Sequence, residues 1–289
     1  RHERDWVPEE KSRALSFGTC WGAAMDAFWD PTSITPTLAI EAMWAAFMAA
    51  WGKEGLPLGV DLLAQEDGSK GRTIENAFKM IEAYVAETWV AKARYELVDI
   101  EKPFLLPLGE DIDGTPLYHG GRIDLVLRRK DSTLIAPWDH KTTTLVRVNP
   151  LPATLAYNFI ASFWPNMQIL GYAWACKTLF GDEFETFTVN ASLVHPKHRV
   201  FEWLPLTYSD EELEEWRQGR LWAIRTILAT KRNNGPWAKA TGSCIGKYGS
   251  CMYHKGVCSK GVTHATLPDA PPKGFTLSPW RPLEKLGLL

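Results

Sequence analysis

The sequence lacks several features that identify a class of protein directly. No apolar run reaches the roughly 20 residues that a membrane-spanning helix needs, and no leader of charged, apolar and small residues opens the chain. No Gly-xxxx-Gly-Lys-Ser/Thr loop is present, which excludes a P-loop motor. Internal repeats and low-complexity tracts are also absent. We therefore expect a globular, cytoplasmic protein with no membrane partner.

An excess of charge of one sign is lacking too. The chain has 32 Lys and Arg against 34 Asp and Glu, a formal net charge of −2. A nucleic acid would then have to be held by a local basic groove rather than by the whole surface. Apolar residues make up 45% of the 289 residues, enough for a sizeable core, and we expect most of the 14 tryptophans to lie in it.

Cysteines are few, and their number argues against a disulfide framework. The five are Cys20, Cys176, Cys244, Cys251 and Cys258. The last three are each separated by six residues, wider than the spacing typical of zinc fingers, and in a reducing compartment such a group favours a metal site. We expect Cys176 to be a buried, apolar-type residue.

The hydrophobic pattern predicts an α/β fold. Apolar residues recur at helical spacing in the first third of the chain, and stretches rich in β-branched and aromatic residues follow. The predicted helices are 11–29, 38–51, 73–93, 165–179 (with Pro165 in its first turn) and 209–232. The predicted strands are 96–108, 117–129, 133–142, 184–195 and 199–206.

One predicted hairpin carries most of the chemistry. If Asp131 and Ser132 form its turn, partner numbers across the hairpin sum to 263, and Asp124 faces Asp139. Side chains alternate between the two faces of a strand, so Lys141 lies on the same side as both acids. Two carboxylates and one ammonium therefore converge.

Opposed carboxylates repel each other, and a cation between them relieves the repulsion. Oxygen ligands suit Mg²⁺ or Mn²⁺, the ions that polarise a phosphoryl group and activate water for phosphodiester hydrolysis. A lysine beside them can stabilise charge on the phosphate. The alternative from the hairpin alone is that Asp124 and Asp139 face solvent with Lys141 as a counter-charge, or that Pro137 shifts the register.

Two motifs in this region and a third after it resemble RecB-like PD-(D/E)XK nucleases. Gly121-Arg-Ile-Asp124 and Trp138-Asp-His-Lys-Thr142 are similar to the second and third motifs of that branch, and Gln168-Ile-Leu-Gly-Tyr172 to its Gln-xxx-Tyr motif. The resemblance extends to AddB-type subunits and CRISPR-associated exonucleases of bacterial or phage type.

The resemblance implies a restriction-endonuclease-like core with a central mixed β-sheet flanked by helices, plus a C-terminal cysteine-rich segment. It implies a DNA exonuclease acting on ends or single strands in repair or recombination, with a helicase or recombination partner. The implied catalytic residues are Asp124, Asp139, Lys141, Gln168 and Tyr172, and the implied DNA contacts are Arg122, Gln168 and Tyr172. An unrelated α/β enzyme with a chance match is the remaining alternative.

The first motif of the branch is matched incompletely. Leu15–Asp26 resembles its Gly-Thr helix, but Gly22 stands where the family has a metal-binding His. The ion would then be held by the two aspartates, a backbone carbonyl and water, with a carboxylate from the preceding strand; Glu101 is the first candidate and Glu96 the second. The substitution leaves open weaker metal affinity, a changed ion preference, or a catalytically inactive DNA-binding or scaffold subunit.

The cysteine trio resembles that of iron-sulfur members of the group. There a fourth, N-terminal cysteine completes a [4Fe-4S] site, and Cys20 is the N-terminal cysteine present here. Zinc or free thiols are the alternatives. The resemblance divides the chain into a helical part (1–94), a catalytic core (95–232), a cysteine segment (233–262) and an extended tail (263–289). We expect His140, between Asp139 and Lys141, to point to the opposite strand face and not to act as a base.

Overall fold

The computed structural model describes residues 6–9, 12–56, 71–149, 152–233, 235, 245–246, 249–251, 253, 270–279, 281–285 and 287. The helices are α1 (Arg13–Trp29), α2 (Pro36–Lys53), α3 (Ile74–Lys92), α4 (Tyr157–Ile160), α5 (Met167–Phe180), α6 (Asp210–Arg232) and α7 (Pro282–Lys285), with 3-10 turns at Ala161–Phe163 and Gly181–Glu183. The strands are β1 (Trp6–Pro8), β2 (Tyr95–Glu110), β3 (Pro116–Arg129), β4 (Ile135–Thr143), β5 (Val146–Arg147), β6 (Thr154–Leu155), β7 (Phe187–Leu193), β8 (Phe201–Leu206), β9 (Ile245–Gly246), β10 (Gly249–Ser250) and β11 (Phe275–Leu277).

The chain forms two compact units. The larger comprises Ser12–Leu108 and Tyr118–Gln218, and the smaller comprises Arg1–Lys11, Gly109–Leu117 and Gly219–Leu289. In the smaller unit β1 pairs antiparallel with β11, and Arg232 forms ion pairs with Asp111 and Asp113. None of the helices among the described residues is both long and apolar enough to span a bilayer.

A five-stranded mixed sheet organises the larger unit. Its strand order is β2-β3-β4-β7-β8; β3 and β4 are antiparallel, β4 and β7 parallel, and β7 and β8 antiparallel. All seven residues of β7 are buried, as expected for a strand covered on both faces. The prediction of a central mixed sheet flanked by helices is confirmed.

The helices begin where side chains cap their first turns. Ser12, Thr35 and Thr73 each accept a hydrogen bond from a backbone N–H in the first turn of α1, α2 and α3. The predicted first-turn position of Pro165 is wrong, because Asn166 caps α5 and its side chain accepts from the N–H groups of Gln168 and Ile169. The proline therefore precedes the cap.

The core between the sheet and α1, α2 and α3 is rich in aromatic rings. Trp138 of β4 is buried and contacts Trp29 of α1, Tyr95 of β2 and Trp203 of β8. These edge-to-face contacts hold one face of β4 against the helices. This packing agrees with the expectation that tryptophans lie chiefly in the core. Because side chains alternate along a strand, the buried Trp138 also determines which residues of β4 point to the other face.

The hairpin between β3 and β4 has the predicted register. Observed partners, such as Leu125 with Trp138 and Val126 with Pro137, sum to 263. The connection is longer than the two-residue turn predicted, because Thr133 N–H donates to the Arg129 carbonyl and Lys130 N–H to the Arg94 carbonyl, each at 3.0 Å, so that Lys130 and Thr133 do not pair. Pro137 lies within the ladder without shifting it.

Candidate active site

The two aspartates lie where β3 and β4 separate. The paired ladder ends at Leu125 and Trp138, so Asp124 and Asp139 come directly after the last pair. In place of further backbone pairing, the Asp124 Oδ2 atom accepts a hydrogen bond of 2.9 Å from the backbone N–H of His140. The separation opens a fork that is lined by carboxylates.

Alternation along the strands places the acids on the same face. Ile123, Leu125 and Trp138 are buried in the core beneath the sheet. Their neighbours Asp124 and Asp139 consequently point the other way. Burial of these apolar residues therefore also directs the two carboxylates to one face of the sheet.

Asp139 is the most deeply buried acid of the site, with 2% of its surface exposed. Its Oδ1 atom accepts from Lys141 Nζ at 2.8 Å; Oδ2 lies 2.6 Å from the same Nζ but has no hydrogen-bond partner of good geometry among the described residues. The pKa of Asp139 is raised to about 6, chiefly by burial and also by the charge of Asp124, while Lys141 opposes the rise.

The pKa of Asp124 is also raised, chiefly by burial. The His140 N–H, Lys141 and Arg122 act in the opposite direction because each favours the ionised form. Both carboxylates are thus held in an environment that penalises their charge, and a cation would relieve that penalty.

A third acid, Asp26 of α1, lies near enough to Asp124 for their charges to interact, and it was not predicted from the sequence. Its pKa is raised to about 7, chiefly by burial and also by the charges of Glu101 and Asp124. Asp26 lies four residues after Gly22, so both positions are on one face of α1. That spacing within the first motif was the signal that could have identified it.

The position of Gly22 is open. A Cβ atom built there has no neighbour within 4 Å in the described part of the chain. The glycine is therefore not required there for close packing against another element. A larger side chain has room at this point of the helix.

The strand before the hairpin contributes Glu101 next to the fork. Its backbone has a positive φ of 52°, a strained conformation for a residue with a side chain. Its carboxylate accepts a hydrogen bond from Arg122 Nη1, and its charge acts on Asp26 and on Tyr172. Glu96, the second candidate, is exposed and lines a different cleft together with Trp29.

Gln168 and Tyr172 form a pair on α5, as their spacing predicts. Gln168 Nε2 donates to Tyr172 Oη at 3.2 Å, and the tyrosine ring stacks on Phe187 of β7 with centroids 5.8 Å apart. Burial raises the pKa of Tyr172 to about 12; Asp139 and Asp124 add to the rise. Tyr172 is therefore a neutral hydroxyl that lies near the carboxylates.

His140 points to the opposite face, where its side chain is half-buried. Burial lowers its pKa to about 3, with a smaller contribution from Lys141, so the imidazole stays neutral. Its Nδ1 atom lies 3.0 Å from Asn190 Nδ2, which also donates to Tyr84 Oη at 3.0 Å. The His140 side chain therefore anchors the strand segment whose backbone N–H binds Asp124.

The residues of the fork fit a hard divalent cation. They offer only oxygen ligands, their charge is penalised by burial, and Asp139 Oδ2, 2.6 Å from the Lys141 ammonium, has no hydrogen bond of good geometry among the described residues. In the same part of the chain no three His, Cys, Asp or Glu side chains are grouped closely enough to coordinate one ion. The candidate ligands are therefore the two aspartates, and Mg²⁺ can be held by one or two carboxylates together with several waters. Direct ligation by Glu101 stays a prediction.

The predicted cysteine site is largely outside the described residues. Cys244 and Cys258 lie there; Cys251 is half-buried, and Cys20 is fully buried in the core on α1. Cys176 is buried as expected, and burial raises the pKa of its thiol. An iron-sulfur or zinc site built from Cys20, Cys244, Cys251 and Cys258 therefore stays a prediction.

Comparisons with known proteins add to this geometry. No curated protein sequence matches the chain. Among solved structures, a crystal structure described as a "Putative exonuclease" from Eubacterium rectale is similar at 16% identity and a TM-score of 0.40, covering 78% of this chain and 70% of that one. The family profile of the PD-(D/E)XK nuclease superfamily matches residues 1–258. Because this match spans most of the sequence, the chain belongs to the PD-(D/E)XK nuclease superfamily.

Proposed function

We propose that the protein is a deoxyribonuclease of the RecB-like branch that hydrolyses phosphodiester bonds with Mg²⁺ or Mn²⁺. The observation that supports this most is the fork between β3 and β4. There Asp124 and Asp139 follow the last strand pair, and Lys141 Nζ lies 2.8 Å from Asp139. Deeply buried acids of this kind are typical of functional sites.

Asp124 and Asp139 would hold the cation, and the remaining residues would position the reactants. A divalent ion bound there supplies polarisation of the phosphoryl oxygen and a lowered pKa of the attacking water. Lys141, an ammonium beside the fork, would donate to the scissile phosphate and stabilise its negative charge. The neutral Tyr172 hydroxyl, paired with Gln168, would donate to the neighbouring backbone phosphate.

Asp26 favours an active enzyme over an inactive DNA-binding subunit. The loss of a family ligand at Gly22 is the argument for inactivity. Asp26 brings a further carboxylate to the site from the same helix face, one turn later, and its charge acts directly on Asp124. We infer that it supports the cation through a bound water, in place of the missing imidazole.

The mode of cleavage and the biological context follow from the resemblance. We propose exonuclease action on DNA ends or single strands in repair or recombination, with unwinding supplied by a helicase or recombination partner. Arg122 is the proposed basic contact to DNA, although its guanidinium donates to Glu101. We propose in addition a structural [4Fe-4S] cluster, with zinc as the alternative; iron and sulfide analysis of anaerobically purified protein distinguishes the two.

The experiment is a cleavage assay with labelled linear, circular and single-stranded DNA in Mg²⁺ and in Mn²⁺. Wild-type protein should shorten linear and single-stranded DNA and leave circular duplex intact. Lys141→Ala should lose about 10²–10³-fold in rate, as expected when a group that stabilises transition-state charge is removed. The matched control is Lys79→Ala, which removes an exposed lysine of α3 paired with Glu75.

Two results would contradict the proposal. Cleavage by Lys141→Ala at the wild-type rate would remove the lysine from the mechanism. Wild-type protein that binds DNA but cleaves none with any divalent ion, even after Gly22→His, would instead identify an inactive binding subunit.

A further inference from the structure

An ion pair between two strands lies beside the acids of the fork. Glu101 of β2 accepts a hydrogen bond from Arg122 Nη1, and Arg122 lies two residues before Asp124 on β3. Two residues of a strand correspond to about 7 Å. The charge of Arg122 acts on Asp124, and the charge of Glu101 acts on Asp26. The Glu101–Arg122 pair is therefore within reach of a phosphate bound at the fork.

Both members of the pair are open to solvent. The Arg122 side chain is 41% exposed and that of Glu101 43%. Ion pairs between exposed side chains contribute little to stability, because water solvates both charges when they separate. Arginine binds carboxylates and phosphates with the same planar set of N–H donors. A phosphate can therefore replace the carboxylate of Glu101 on Arg122 at small cost.

The backbone of Glu101 indicates that its carboxylate has a role at this point. Its φ of 52° lies in the left-handed region, which asparagine adopts more readily than glutamate. Strained residues of this kind concentrate at functional sites. The adjacent Lys102 pairs with Asp99 at 2.9 Å, so the described partner of the Glu101 carboxylate is Arg122.

The cations of the fork are both engaged by acids. Lys141 and Arg122 are the two cations whose charges act on Asp124. Lys141 Nζ lies 2.8 Å from Asp139 Oδ1, and Arg122 donates to Glu101. A phosphate that binds at the fork must compete with these acids for its cations. The strength of each pair therefore contributes to the affinity for DNA.

We infer that Arg122 exchanges its hydrogen bond with Glu101 for one with a phosphate of the bound DNA strand. Glu101 is then a positioning residue that holds Arg122 beside Asp124 until a strand binds. This inference rests on the proposed nuclease function, and it differs from the cation ligation by Glu101 that the resemblance implies. Because a phosphate is recognised, the exchange is independent of base sequence.

The test measures binding of fluorescein-labelled oligothymidylate to the full chain in EDTA. Glu101→Gln should bind about 2- to 5-fold more tightly than the wild type, which is the contribution of an exposed ion pair expressed as an affinity ratio. Arg122→Gln should bind more weakly. It should also lower the slope of the logarithm of affinity against the logarithm of salt concentration by about 0.7, the value for one phosphate of a single strand. An unchanged slope would overturn the inference.

The double variant with both Glu101→Gln and Arg122→Gln separates exchange from simple repulsion. If Arg122 leaves Glu101 for the phosphate, the gain in affinity from Glu101→Gln should be larger when Arg122 is present. If the pair stays intact and Glu101 only repels the strand, the gain should be larger without Arg122, because the carboxylate is then unscreened. A gain that is equal or larger in the Arg122→Gln background contradicts the exchange.

Two further variants are the controls. Glu101→Asn is also neutral and tolerates a positive φ, so it should bind like Glu101→Gln. Glu214→Gln breaks a comparable pair, in which Arg217 lies 2.6 Å from Glu214 on α6, and it should bind like the wild type. Weaker binding by Glu101→Gln and Glu101→Asn would show that the intact pair presents Arg122 to DNA, and this result would overturn the exchange.

Mn²⁺ binding and cleavage separate this inference from the proposed function. Glu101→Gln should keep a Mn²⁺ affinity close to that of the wild type; a loss of about tenfold or more would assign Glu101 to the cation and overturn the inference. Normal cleavage by the wild type without a gain of affinity in Glu101→Gln would reject only the exchange. That gain without any cleavage in Mn²⁺ would leave the exchange in place and reject the proposed enzyme.

Discussion

Removing the charge of Asp139 should stabilise the metal-free protein. The pKa of Asp139 is raised from its ordinary value of 3.8 to about 6, chiefly by burial. The folded chain thus binds this proton more tightly than the unfolded chain, so stability falls as the pH rises from about 4 to 6, and the whole penalty is present above pH 6. A pKa difference of that size corresponds to about 3 kcal/mol. In EDTA at pH 8, Asp139→Asn should therefore unfold at higher urea than the wild type.

The 3 kcal/mol is an upper limit, because the amide of the variant must also find hydrogen-bond partners. The advantage of Asp139→Asn should shrink towards zero at pH 4, where the wild-type carboxyl is protonated in both states. Mn²⁺ at about 100 times the wild-type Kd should remove most of this advantage, since it adds about 2.7 kcal/mol to the wild type and less to the variant. Asp182→Asn, at an exposed acid, is the control. A variant less stable than wild type at pH 8 in EDTA, or a difference independent of pH, would refute this reasoning.

Three further predictions concern the surroundings of the fork. The pKa of Asp26 is about 7, so Mn²⁺ affinity should weaken as the pH falls below 7, because the cation must then compete with a proton. Calorimetry should show that the Mn²⁺ affinity of Asp26→Asn depends less on pH than that of the wild type. The same pH dependence in both proteins would exclude Asp26 from the site. Gly22→His should tighten Mn²⁺ binding, and its circular dichroism should show no loss of helix because a Cβ atom at this position has open space. Unchanged Mn²⁺ affinity would show that position 22 does not contribute to the metal site. Asn190→Ala removes the donor beside His140 Nδ1. The free energy of unfolding should fall by about 1–3 kcal/mol, and kcat should fall with it. Stability and kcat equal to those of the wild type would show that the contact between Asn190 and His140 does not position β4.

Much of the fold could be predicted because periodicity alone decides it. Alternating residues in 117–129 and 133–142 set a register that the ladder of β3 and β4 confirms. Since a shift by one residue would turn every core side chain to the other face, the buried Leu125 and Trp138 leave little freedom. Convergence of Asp124 with Asp139 and Lys141 follows from that register.

Other parts of the site depend on contacts that no local pattern encodes. The charge of Asp26 acts on Asp124 only in the folded chain, and the sequence does not specify which helix brings an acid to the site. The strained backbone of Glu101 and its hydrogen bond with Arg122 likewise arise from the meeting of two strands. The role of His140 was predicted by alternation, but its partner Asn190 comes from β7, fifty residues later.

Cation binding by the two aspartates is the claim on which the account depends most. The direct measurement is a Mn²⁺ titration followed by electron paramagnetic resonance on the wild type, Asp124→Asn and Asp139→Asn, with cleavage of single-stranded DNA recorded on the same samples. Each substitution should weaken Mn²⁺ affinity by at least about tenfold and abolish cleavage. Wild-type Mn²⁺ affinity and cleavage in either variant would contradict the account.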